Sequence, residues 1–179
     1  MKKRDIPNAL SVLRILLVPW FIFLFFGEHM AAAIFVFLFA GLTDVVDGYL
    51  ARRNGWTSEV GKILDPIADK LMQCTVLICF AAKHMIPLWL PLVYISKELL
   101  MAIGAIFIFQ KQSRVVKSSF WGKFAVCVFY ASIVALVAVY RFVPAGEAGL
   151  WREGIGAVIV AFAFFAVLQY FREYFRSGS

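Results

Sequence analysis

Six apolar runs occupy about two-thirds of this sequence, at roughly residues 8–26, 32–51, 62–82, 87–109, 121–141 and 150–171. A helix needs about 20 mostly apolar residues to cross the hydrocarbon of a bilayer, and each run has that length. Composition points the same way. Of 179 residues, 63% are hydrophobic and 16% are charged, against roughly 25% charged in a soluble domain. A soluble enzyme, a disordered chain and a secreted disulfide scaffold are thereby excluded. The expected fold is all-α: a polytopic integral membrane protein of six transmembrane helices, with residues 1–179 forming a single domain.

Breakers separate the runs: Gly27-Glu28-His29, Arg53-Asn54-Gly55, Lys83-His84, the stretch Gln110 to Ser119, and Val143-Pro144-Ala145-Gly146. The basic start Met1-Lys2-Lys3-Arg4 leads into a run too long for the apolar region of a signal peptide, so it reads as a first span. Cys74, Cys79 and Cys127 lie in apolar segments without CxxC spacing and are expected to be buried thiols filling small gaps.

The basic residues orient the chain. With the N-terminus in the cytoplasm, that side carries Lys2, Lys3, Arg4, Arg52, Arg53, Lys62, Lys111, Arg114, Lys117, Arg172 and Arg176. The opposite side carries Lys83, Arg141 and Arg152. Eleven against three is a positive-inside bias, and an even number of spans returns the C-terminus to the cytoplasm. The net charge of +7 therefore concerns anionic headgroups and topology. No basic stripe with interleaved aromatics lies outside the apolar runs, and no nucleic-acid partner is expected.

Arg14, Lys70, Lys97 and Lys123 fall inside or at the edge of spans, with Glu98 beside Lys97 near the middle of the fourth. Charges at that depth cost about 2.5–3.5 kcal/mol each on insertion scales, so they should face a polar interior. For Arg14 and Lys123 the alternative is snorkelling to the near interface.

Four of the five aspartates cluster within 26 residues, at the cytoplasmic ends of the second and third spans. Asp44, Asp47, Gly48 and Ala51 recur at i, i+3, i+4 and i+7, one helix face; Gly61, Asp65 and Asp69 recur at i+4 on the next helix. The short connection makes these helices antiparallel neighbours, so the four carboxylates are expected to converge on one cavity about two turns below the cytoplasmic surface. Carboxylates that close require cations between them. Oxygen ligands suit Mg²⁺, Mn²⁺ or Ca²⁺ rather than zinc, and His29 and His84 lie in opposite-side loops. Gly48, Gly61 and Ala51 permit close approach to the backbone, and Arg52 offers a fork suited to phosphate. Metal with phosphate means phosphoryl chemistry or transport of a phosphorylated lipid. A plainer possibility exists for Asp65: Asp65-Pro66 is a good N-cap followed by proline at the first helical position, which would start the third span at 66.

The run Asp44-Val45-Val46-Asp47-Gly48-Tyr49-Leu50-Ala51-Arg52, then eight residues, Gly61, three residues, Asp65, three residues, Asp69 resembles the complete signature of the CDP-alcohol phosphotransferase family, without gaps or substitutions at the defining positions. The six-span layout agrees, so the resemblance covers essentially the whole chain. Ile6-Pro7-Asn8-Ala9-Leu10-Ser11 through Arg14 and Pro19 is similar to the glycerophosphate and cardiolipin-forming branches. The resemblance implies transfer of a substituted phosphate from a CDP-linked donor to an alcohol, with release of CMP. It implies that Asp44, Asp47, Asp65 and Asp69 hold two Mg²⁺ or Mn²⁺ ions, with Asp69 also the base. Asp44, Asp47, Gly48, Ala51, Arg52 and Gly61 would form the CDP site. It further implies a homodimer whose cavity opens to the cytoplasm and sideways to lipid, in keeping with the charge-derived topology, and most simply placed in a bacterial inner membrane.

For a phosphorylated acceptor the cationic candidates are Lys97, Arg114, Lys117 and Lys123, although Arg114 and Lys117 also serve the positive-inside bias. The leading expectation is transfer of the phosphatidyl group of CDP-diacylglycerol to glycerol-3-phosphate. That branch usually carries Arg-Glu where this chain has Lys97-Glu98, and Gly-Lys followed closely by Lys-Thr where it has Gly122-Lys123-Phe124-Ala125. Arginine and lysine are not interchangeable at a phosphate site, so a cardiolipin synthase using phosphatidylglycerol is the alternative. Two more distant readings explain less. An intramembrane prenyltransferase leaves the Asp47-Gly48 and Ala51-Arg52 elements unaccounted for. A cation transporter should carry its acids deeper and on more spans.

Overall fold

The computed structural model describes residues 6–54, 59–112 and 120–176. Within them the chain is entirely helical: α1 (Ile6–Phe26), α2 (Met30–Asn54), α3 (Glu59–Ala82), α4 (Trp89–Gln112), α5 (Phe120–Phe142) and α6 (Ala145–Arg176). Each falls on one of the apolar runs, α4 starting two residues later than expected at Trp89. Most extend past the expected bounds, because polar residues at the ends, such as Arg52 and Arg53 on α2, continue the helix.

Two turns are closed by the same device. At the end of α1 the amide of His29 donates to the Leu24 carbonyl at 3.0 Å, and Glu28 takes a left-handed φ of 65°. At the end of α3 the amide of Met85 donates to the Phe80 carbonyl at 2.9 Å, and His84 takes a φ of 54°. Both are Schellman caps that satisfy the last helical carbonyls, with a larger side chain where glycine is usual. The preceding Gly27 is needed for another reason: a Cβ there would meet the Phe23 carbonyl oxygen at 2.9 Å.

The chain divides into two compact units, Met1–Cys79 and Phe80–Ser179. In the first, α1 packs against α2. The buried face of α1 is Ser11, Arg14, Val18, Phe21 and Phe25, at alternating spacings of three and four. That of α2 is Ala33, Val36, Phe37, Ala40 and Thr43. Small residues on α2 admit the large rings of α1. In the second unit α6 packs against both α5 and α4. Gly156 marks the close approach to α4, where an added Cβ would lie 2.5 Å from Leu90 Cδ1.

The outer surface is apolar. Leu16, Phe23, Phe35 and Leu42 are exposed in the first unit, and Leu100, Phe142, Leu150 and Leu168 in the second, while Arg14, Gln73 and Lys97 are buried. An apolar exterior, with the few polar side chains turned into a mostly apolar core, is the distribution a bilayer demands. Among the described residues, three segments are long and apolar enough to cross a membrane: Asn8–Phe26, Phe124–Phe142 and Gly146–Gln169. Met30–Val46 forms a shorter apolar helix.

The thiols divide. Cys79 is buried, Cys74 is partly so, and Cys127 is exposed rather than buried as expected. The buried stripe of α5 runs through Phe129, Ser132, Ile133, Leu136 and Val139, and Cys127 lies off that stripe.

Candidate active site

Helix α1 brings polar side chains to the carboxylates. Ser11 and Arg14 stand one turn apart on its buried face, and both are fully buried. The Arg14 Nη1 lies 2.8 Å from Asp44 Oδ1 on α2. The Ser11 hydroxyl donates to Asp65 Oδ1 on α3. On α3 itself, Gln73 Nε2 donates to Asp69 Oδ2 at 3.0 Å, the i+4 reach of one helical turn. Three carboxylates on two helices are each held by a protein donor, and two of those donors come from α1.

Asp65 is not an N-cap. Helix α3 begins at Glu59 and carries Pro66 in its interior, so Asp65, Ala68, Asp69 and Met72 follow one another along a continuous helix. Gly61, one turn earlier, is buried. Arg14 does not snorkel: it is 0% exposed and faces Asp44, whose side chain is 36% exposed. A buried guanidinium beside a partly open carboxylate places that acid at the rim of the polar interior.

The remaining candidates fall differently. Asp47, Gly48, Ala51 and Arg52 all lie on α2, but the side chains of Asp47, Ala51 and Arg52 are outside the described residues, as are Arg114, Lys117 and the side chain of Lys123. Lys97 is buried in the second unit. Its ammonium pairs with Glu98 and lies 4.6 Å from the centroid of the Tyr94 ring. Tyr94 in turn packs on Phe129 at 5.3 Å. A carboxylate and an aromatic face are the partners that make a lysine tolerable at this depth.

Sequence reasoning missed Gln73 altogether and left the partner of Ser11 unassigned. The i+4 spacing from Asp69 was a usable signal for Gln73. No local signal pairs Ser11 with Asp65, which is 54 residues away.

Among the described residues no group of three or more His, Cys, Asp or Glu side chains stands close enough to hold a metal ion; Asp47 is not among the side chains described. The donor chemistry of the described acids nevertheless suits a hard cation. A carboxylate has about four acceptor positions, so one donor bond leaves coordinating capacity, and ligating carboxylates are commonly oriented by such outer hydrogen bonds.

Apolar side chains face outward on the helices of both units, and in the first unit carboxylates on α2 and α3 are held by an ion pair and hydrogen bonds, the pattern of an integral membrane protein that keeps charged groups inside. A family model described as CDP-alcohol phosphatidyltransferase matches residues 4–169, and the chain belongs to that family. It is 45% identical over 105 residues to a CDP-diacylglycerol–glycerol-3-phosphate 3-phosphatidyltransferase of Pseudomonas fluorescens, covering 55% of this chain and 53% of that protein. With the protein of the same name from Bacillus subtilis it shares 28% over 186 residues, covering 90% of this chain and 94% of that one. A cardiolipin synthase (CMP-forming) and mitochondrial hydrolase fusion protein of Schizosaccharomyces pombe is 38% identical over 96 residues, 54% of this chain and 16% of the fusion. The chain thus spans about half the length of the Pseudomonas relative and a small part of the yeast one.

Proposed function

We propose that this protein transfers the phosphatidyl group of CDP-diacylglycerol to glycerol-3-phosphate, forming phosphatidylglycerophosphate and releasing CMP. One observation carries the reading: the gap-free run from Asp44 to Asp69 falls on two helices whose carboxylates α1 and Gln73 hold in place. The similarity to two bacterial proteins named for this reaction supports glycerol-3-phosphate as acceptor.

In this reading Asp44, Asp47, Asp65 and Asp69 hold divalent cations, Mg²⁺ or Mn²⁺, two in number. Such ions neutralise a diphosphate and the charge on the departing CMP. Gly48, Ala51, Arg52 and Gly61 shape the cytidine diphosphate site, the small residues by admitting it close to the backbone and Arg52 by its fork. Asp69 accepts the proton of the acceptor hydroxyl as its oxygen attacks the β-phosphorus. The new oxygen–phosphorus bond forms as the bond to CMP breaks, and the proton stays on Asp69. The Gln73 amide donates to Asp69 Oδ2 and so helps to orient this carboxylate. Lys97, Arg114, Lys117 and Lys123 are the cations offered to the acceptor phosphate.

The same reading has six spans, both termini and the active cavity on the cytoplasmic side of a bacterial inner membrane, a single domain and a homodimer. Support for the topology is the distribution of lysine and arginine, and for the single domain a family match that extends across both compact units. The second acceptor is phosphatidylglycerol, favoured by Lys97 where arginine is usual and by the yeast relative's name.

The test is an acceptor panel. Purified protein with Mg²⁺ or Mn²⁺ and CDP-diacylglycerol should release CMP when glycerol-3-phosphate is supplied. Release with phosphatidylglycerol alone would select the second acceptor, and no acceptor-dependent CMP with any alcohol would end the transferase reading.

A further inference from the structure

We propose that Ser11 is a positioning residue, which orients Asp65 for cation binding through a hydrogen bond between helices; the proposal rests on Asp65 being a metal ligand. A serine in an apolar membrane helix commonly turns its hydroxyl back to a carbonyl of its own helix. The Ser11 hydroxyl reaches across to the carboxylate of Asp65 on α3, and Ser11 is fully buried among α1 residues that face the core. One O–H donor engages one carboxylate oxygen and fixes the rotation of the group, while acceptor capacity remains for a cation. One turn along the same face Arg14 makes the corresponding contact to Asp44. A single helix thereby sets two carboxylates that belong to two other helices, and it contributes no carboxylate of its own from that face.

The placement has a consequence a packing residue would not have. Alanine nearly matches serine in volume, so removing the hydroxyl should leave the helix contact in place. What is lost is the orientation of a ligand, and loss of an outer hydrogen bond to a metal ligand typically lowers affinity by about 10–100-fold. The donor, not the shape, is what matters. Threonine should therefore replace serine, and cysteine, a weak donor of similar shape, should fall between threonine and alanine.

The experiment is Mn²⁺ binding by the detergent-purified full chain without nucleotide or lipid substrate, read from the loss of the free-ion electron paramagnetic resonance signal. Ser11→Ala should weaken binding about tenfold or more, and Ser11→Thr should stay within about twofold of the parent. If Ser11→Ala does not fold, the comparison of Ser11→Cys with Ser11→Thr carries the same contrast. Equal affinity for the alanine and threonine variants, or for the cysteine and threonine variants, would overturn the proposal. Asp65→Asn separates the two levels. If it weakens Mn²⁺ binding while Ser11→Ala does not, only the positioning role fails. If Asp65→Asn binds as the parent does, or the parent binds no Mn²⁺, the metal reading of Asp65 fails and takes this proposal with it.

Discussion

The guanidinium of Arg14 lies 2.8 Å from the carboxylate of Asp44, with the arginine wholly buried and the aspartate partly open. One charge is wholly buried, and its neighbour remains partly exposed. Removing one partner of a fully buried pair costs about 3–5 kcal/mol. Because Asp44 is partly exposed, Arg14→Gln is expected to cost less, about 2–3 kcal/mol. Thermal unfolding of the two proteins in the same detergent measures this, and an unchanged midpoint would mean that the pair contributes nothing to the fold.

In the proposed reaction, replacing Asp69 with asparagine removes the base and keeps the shape. The side-chain carbonyl of asparagine can still accept from Gln73 Nε2, which now bonds Asp69 Oδ2. CMP release is expected to fall at least about 100-fold, the usual contribution of a general base, while binding of a CDP-linked donor persists. Near-parental turnover would assign the proton to another group.

On the same reading, chelation should abolish CMP release reversibly. Carboxylate oxygens favour small hard cations, so activity lost to EDTA should return with Mg²⁺ or Mn²⁺. Full activity in a chelated and dialysed sample would contradict a metal-dependent site.

The α4–α6 contact is testable through Gly156. A Cβ placed there would sit 2.5 Å from Leu90 Cδ1, and Leu90 is fully buried. Gly156→Ala is expected to destabilise by about 1–3 kcal/mol through overpacking. In the Leu90→Ala background the same change should cost less, since the clashing methyl is gone. The cycle gives the coupling directly, and strict additivity would mean that the two side chains do not meet.

Helix number and type, and the register of Asp44 with Gly48 and of Asp65 with Asp69, were legible in the sequence because both depend on local periodicity. Length and apolarity specify a membrane helix, and spacings of three and four specify a face. The reading stopped short where two local rules competed. Asp65-Pro66 satisfies the chemistry of a helix start, yet α3 begins at Glu59 and carries the proline internally. Neighbouring helices and local adjustment can relieve a proline within a membrane helix, which outweighs the capping preference.

For Arg14 the sequence left snorkelling and an interior partner both open, since the two outcomes share one pattern: a long cation in the first half of an apolar run. Only the packing of α1 on α2 decided between them, by directing the arginine face at Asp44. The hydrogen bond from Ser11 to Asp65 has the same origin. Sequence alone placed the carboxylates on their helix faces, because that depends on residues within a few turns. The tertiary structure alone decided which side chains of α1 hold them, because a contact across 54 residues leaves no trace in local periodicity.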